Sequence, residues 1–112
     1  MPTFTAYHNI TGSTGVDIEL IEPGTKVTGI KSIVITNKHA TADATVSLFI
    51  QNDPTAAAAS TFRILSTVAI PSDTSLLLDN KSMLSFDNSS DVGFGLYLTV
   101  GSSDTLDVMI HR

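Results

Sequence analysis

Three histidines are the first candidates for chemistry, because imidazole is the commonest metal ligand and proton carrier. His8, His39 and His111 fall in a first strand, a loop and a terminal strand. Zinc-type sites usually announce themselves as paired histidines or cysteines a few residues apart. No His pair has that spacing, and the chain contains no cysteine. Ordinary surface or strand-edge histidines are expected, and no metal.

Hydroxyls are abundant, yet a serine nucleophile needs a base beside it and a third group to orient that base. The Gly-x-Ser-x-Gly elbow is missing. Paired-carboxylate hydrolysis needs a cleft between its two acids, and a 112-residue chain leaves little room for one beside its core. Asp87-Asn88-Ser89-Ser90-Asp91 offers several oxygens, as calcium loops do, but lacks their glycine and bidentate glutamate. It reads as a solvated turn, and so do Asp104 and Asp107. No glycine-rich phosphate loop is present; Gly93 and Gly95 flank Phe94 inside a strand pattern, where glycine marks a bulge or close backbone approach. The expectation is a protein that is not an enzyme, with no cofactor and no small-molecule ligand.

The bulk composition agrees with a binding or structural role. Apolar residues make up 42% of 112, enough for one domain with its own core. The formal charge is −5, and the six cations (Lys26, Lys31, Lys38, Arg63, Lys81, Arg112) form no stripe. Nucleic-acid binding rests on clustered cations, so it is disfavoured, as is a basic membrane-surface helix. No run approaches the ~18 apolar residues of a membrane-spanning helix. Met1-Pro2-Thr3-Phe4-Thr5-Ala6 has neither the charged region nor the apolar run of a secretory signal. Retention in the producing cell, release by lysis, or a leader outside this sequence follows. The Asn-x-Ser/Thr matches at Asn9, Asn80 and Asn88 then read as chance.

The elements that would position any site are strands. Val46, Leu48 and Ile50 alternate with Thr45, Ser47, Phe49 and Gln51; Phe94, Leu96, Leu98 and Val100 alternate with Gly95, Tyr97 and Thr99. Leu106, Val108 and Ile110 alternate with Asp107, Met109 and His111. This is the two-residue period of antiparallel strands with one wet face. Glu occurs only at 19 and 22 and Gln only at 51, so long straight helix formers are scarce. The Ala56-Ala57-Ala58-Ala59 run is too short for an independent helix and is expected to be one turn or a loop tip. Turn-forming clusters separate strands at about 3–9, 15–22, 26–37, 43–52, 61–70, 74–79, 82–86, 93–101 and 104–111. The fold class is therefore all-β: a single antiparallel β-sandwich, jelly-roll-like, with eight or nine short strands. Residues 1–22 are expected to be an N-terminal arm or edge strand.

Three groups of residues carry a likeness to a known family. Gly29-Ile30-Lys31-Ser32-Ile33-Val34-Ile35-Thr36-Asn37 leads into Ala44-Thr45-Val46-Ser47-Leu48-Phe49-Ile50. Ile70-Pro71-Ser72-Asp73-Thr74-Ser75-Leu76-Leu77-Leu78 follows, and Leu96–Val100 and Leu106–Ile110 close the chain. Over residues 26–112 this order resembles small β-sandwich virion proteins of tailed bacteriophages, especially those of marine bacteria and cyanobacteria. The resemblance implies a virion structural protein: a head decoration, neck, tail or fibre-associated subunit. It also implies a symmetric homo-oligomer in contact with other virion proteins, localisation to the virion, and no catalysis. The alternative is a carbohydrate- or receptor-binding module, for which the absence of Trp leaves only Tyr7 and Tyr97 beside the phenylalanines.

Apolar residues on the wet side of strands are the natural interface candidates. Phe49, Tyr97 and Met109 interrupt polar faces, and Leu65 and Leu77 break the pattern of neighbouring strands. They either form a docking surface or lie beneath a long loop such as 52–61. Both readings are open at this level.

Overall fold

The computed structural model describes residues 7–11, 15–22, 24, 30–52, 60–80, 84, 86, 88, 94–102 and 105–111. Among the described residues eight strands run in order: β1 (Tyr7–Ile10), β2 (Asp17–Ile21), β3 (Ser32–Asn37), β4 (Ala44–Asn52), β5 (Thr61–Ile70), β6 (Thr74–Leu78), β7 (Phe94–Ser102) and β8 (Leu106–His111). They pair into two antiparallel four-stranded sheets, β1-β8-β3-β6 and β2-β7-β4-β5. Among the described strands only β4 and β5 are consecutive neighbours in one sheet; each other successive pair lies in opposite sheets. That interleaving is the jelly roll, two Greek keys wound together.

Alternation explains which side of each sheet is dry. In β4, Ala44, Val46 and Leu48 are fully buried, as are Leu96, Leu98 and Val100 in β7. Ile33 and Ile35 of β3 and Leu106 and Val108 of β8 supply the facing layer. Burying one such side chain is worth about 1.5–3 kcal/mol. The sandwich therefore closes on the central strands, while β1, β6, β2 and β5 form the edges.

Strand β5 departs from simple pairing. Val46 faces Val68, Leu48 faces Leu65 and Phe49 faces Arg63, so β5 carries two more residues than β4 over this stretch. The added residues are β-bulges, which bend the strand and re-aim its side chains. Ile64 and Leu65, adjacent in sequence, both pack against the core as a result. Thr67 pays locally, with a φ of 52° that β-branched residues rarely adopt. Replacing exposed Thr67 by glycine is expected to raise stability by about 0.5–1 kcal/mol, because strain relief exceeds the added chain entropy. A urea midpoint that falls instead would contradict this assignment of strain.

The β3–β4 turn is organised by a buried amide. Asn37 is fully buried, and its Nδ2 donates to the carbonyls of Ala42 (2.9 Å) and Ile70 (3.0 Å). Its Oδ1 accepts the His39 backbone N–H at 3.0 Å. His39 Nδ1 in turn accepts the backbone N–H groups of Thr41 (3.1 Å) and Ala42 (3.0 Å). The loop histidine is thus a structural acceptor.

Several expectations need correction. Leu84 and Phe86, inside the strand expected at 82–86, lie outside any strand, and 82, 83 and 85 fall outside the described residues. Strand 26–37 begins only at Ser32, with Ile30 and Lys31 outside it. Asn88, expected in a solvated turn, is instead 2% exposed, and its Nδ2 donates to the carbonyls of Glu22 (2.9 Å) and Phe94 (2.7 Å). Both donor hydrogens are directed inward, a poor arrangement for a glycan acceptor. The alanine run 56–59 and residues 1–6 lie outside the described residues.

Candidate functional site

Each sheet presents one outer face, and the two differ in chemistry. On β1-β8-β3-β6, register alone assembles an apolar row. Tyr7 lies opposite Met109, Met109 opposite Val34, and Val34 opposite Leu77. One side chain from every strand contributes, so the row crosses the whole sheet at right angles to the strands. Its ends are open: Tyr7 is 67% exposed and Leu77 is 56% exposed, with Met109 and Val34 half-buried between them.

The next row on that face is polar and internally paired. Asn9 Nδ2 donates to Asp107 Oδ1 at 2.6 Å, and the hydroxyls of Thr36 and Ser75 lie 2.8 Å apart. Lys38 Nζ lies 3.0 Å from the same Asp107 oxygen. The Lys38 hydrogen bond, joined by that of Asn9, holds the Asp107 carboxyl below its usual range against a smaller opposing effect of burial. The apolar row thus borders a polar strip whose charges cancel locally.

The outer face of β2-β7-β4-β5 is built around a different ladder. Glu19, Tyr97, Phe49 and Arg63 stand in register across all four strands. The phenol donates to Glu19 Oε2 at 3.2 Å. The two rings stack with centroids 5.8 Å apart and planes 19° from parallel. Arg63 lies 5.7 Å from the Phe49 centroid, a cation–π contact. Beside the ladder is an open depression of about 470 Å³, reaching from Asp17 and Thr99 across Ser47 and Phe49 to Thr61 and Arg63.

Burial of Tyr97, reinforced by the Glu19 carboxylate, pushes its phenol up from 10.0 to about 12. The neutral phenol is therefore favoured in the fold. Between pH 10 and about 12 the folded chain holds a proton that the unfolded chain has released, so stability falls as pH rises through this window and is undiminished below it. Denaturant unfolding at stepped alkaline pH is expected to show this slope in the native protein. Tyr97→Phe should lose this tyrosine's share of it; an unchanged slope would refute the ladder's role.

The chain matches no family model, no curated protein and no solved structure. Its function is therefore argued from the two faces.

The structure divides the five sequence-derived interface candidates. Leu77 and Met109 fall in the apolar row. Phe49 and Tyr97 do occupy an outer face, yet they are only 4% and 5% exposed, because ring stacking, Arg63 and Glu19 enclose them. Leu65 turns inward at the bulge and packs against the core. Tyr7 and Val34 were missed as interface residues: Val34 reads as one residue of an apolar strand, and Tyr7 stands alone in its segment. Among the described residues no group of three His, Asp or Glu side chains is placed to hold a metal ion. No described helix is long and apolar enough to cross a membrane.

Proposed function

We propose that this protein is a non-enzymatic structural subunit of a tailed-bacteriophage virion, working by self-association through the outer face of β1-β8-β3-β6. The observation that carries the reading is the continuous row Tyr7–Met109–Val34–Leu77, open at both ends. Apolar and aromatic residues of this kind concentrate at the centres of protein interfaces. The sequence resemblance to phage virion proteins supports the same role, and jelly rolls are common among viral capsid domains.

A second copy of the chain is the occupant this face suits. The chain carries −5 overall, so copies repel one another across most surfaces. On this face the bordering Lys38–Asp107 pair cancels locally, whereas Asp17 and Glu19 stand exposed on the other sheet. Copies stacked face to face about a two-fold axis parallel to the strands would set Tyr7 of one against Leu77 of the next, and Met109 against Val34. Ring symmetries of three, five or six copies would use the same row against a neighbour's edge strand. Either way, a stable contact needs about 800 Å² from each partner.

Light scattering across a concentration series tests the reading. An oligomer of defined size is expected. A clean monomer at the highest attainable concentration would defeat it.

A further inference from the structure

We infer that the depression on the β2-β7-β4-β5 face is a binding site for a carboxylate-bearing saccharide. This goes beyond the assembly role and does not depend on it, since it uses the opposite sheet.

The hydrogen-bond inventory of the depression sets the ligand class. Toward β5 the lining includes groups that can donate. Arg63 is held beside Phe49 by its cation–π contact, and among the described residues no carboxylate pairs with its guanidinium. The Ser47 hydroxyl oxygen accepts the Thr67 N–H at 3.0 Å, which leaves its own hydrogen to give. The Thr61 hydroxyl oxygen accepts from Gln51 Nε2 at 2.8 Å and is in the same position. A guanidinium fork with two hydroxyl donors matches a carboxylate, which only accepts.

Toward β2 the polarity reverses. Thr99 Oγ1 donates to Asp17 Oδ1 at 2.7 Å, so its hydrogen is committed and the second Asp17 oxygen remains an acceptor. That carboxylate oxygen matches a hydroxyl donor. A ligand with a carboxylate at one end and ring hydroxyls at the other satisfies both halves, while a purely apolar ligand satisfies neither.

The size fits as well: about 470 Å³ lies within the range of small-molecule sites. The bulged β5 forms one wall, and its strained Thr67 is part of it. Strain of this kind tends to persist at binding sites. The ring faces of Phe49 and Tyr97 are occupied by each other, so recognition would come from polar contacts above them rather than from stacking.

The test is titration of the whole protein, observed by amide chemical shifts, with D-glucuronic acid, N-acetylneuraminic acid, D-glucose and acetate. Saturable shifts are expected for at least one sugar acid, centred on residues 47–51, 61–67 and 99. Glucose and acetate should each bind about tenfold more weakly, and Arg63→Ala should cost at least about tenfold in affinity. The wild-type shift map keeps the proposal testable should Arg63→Ala fold poorly. Absence of saturable shifts with both sugar acids would overturn the proposal, as would shifts centred on Tyr7, Val34 and Met109. Acetate binding as tightly as the sugar acids would overturn its saccharide part. The two acids distinguish a sialic from a uronic source.

Discussion

Leu98→Ala is expected to lower the unfolding free energy by about 3–5 kcal/mol. Leu98 is fully buried in β7, between Ile18 of β2 and Leu48 of β4 in register. Removing most of its side chain loses the transfer free energy and leaves a cavity that the flanking strands cannot collapse around. A domain of this size has about 5–15 kcal/mol in total, so a large share of it disappears. The same substitution at Leu77, 56% exposed on the outer face, should change monomer stability by less than about 0.5 kcal/mol. Urea unfolding of the two variants decides the matter. Equal losses would mean that the inner and outer faces are wrongly assigned.

The second large effect concerns a polar side chain. Asn37→Ala removes three hydrogen bonds at a fully buried position and leaves a void, for a cost of about 2–4 kcal/mol. Asn37→Asp separates the two contributions. Its shape is retained, and one oxygen still accepts the His39 N–H. The other oxygen, however, would face the carbonyls of Ala42 and Ile70, which need a donor. At neutral pH the aspartate variant should lose at least as much stability as the alanine variant. A near-neutral aspartate variant would show that Asn37 acts by filling space, and the account of the β3–β4 turn would fail.

The two-layer fold was legible because burial follows position two by two along β4, β7 and β8. Val46, Leu48, Leu98, Val108 and Ile110 each sit on the dry side that alternation assigns to them. Alternation fails where the backbone itself is irregular. Nothing in the run Ile64-Leu65 announces the bulge that turns both residues inward, and Leu84 shows that an apolar residue can be buried from a turn as well as from a strand.

The candidate sites were legible only in part, for a related reason. Met109 and Leu77 stood out individually as apolar residues on wet faces. Their union with Tyr7 and Val34 depends on register between strands up to 102 positions apart, from Tyr7 to Met109. No local pattern encodes that. Phe49 and Tyr97 mislead for the opposite reason: they point outward, but cross-strand stacking and the flanking Glu19 and Arg63 bury them. The hydroxyls around Arg63 were invisible as a group, because Ser and Thr are so common here that no one of them attracts notice.

The most direct test of the assembly claim is sedimentation velocity of the wild-type protein beside Met109→Lys, with circular dichroism confirming that both are folded. A lysine at the centre of the row places a charge where a partner's apolar side chains must pack, and rim effects cannot rescue it. The account predicts a defined wild-type oligomer that dissociates to monomer in the variant. A wild-type monomer, or an oligomer that survives the lysine intact, would contradict it.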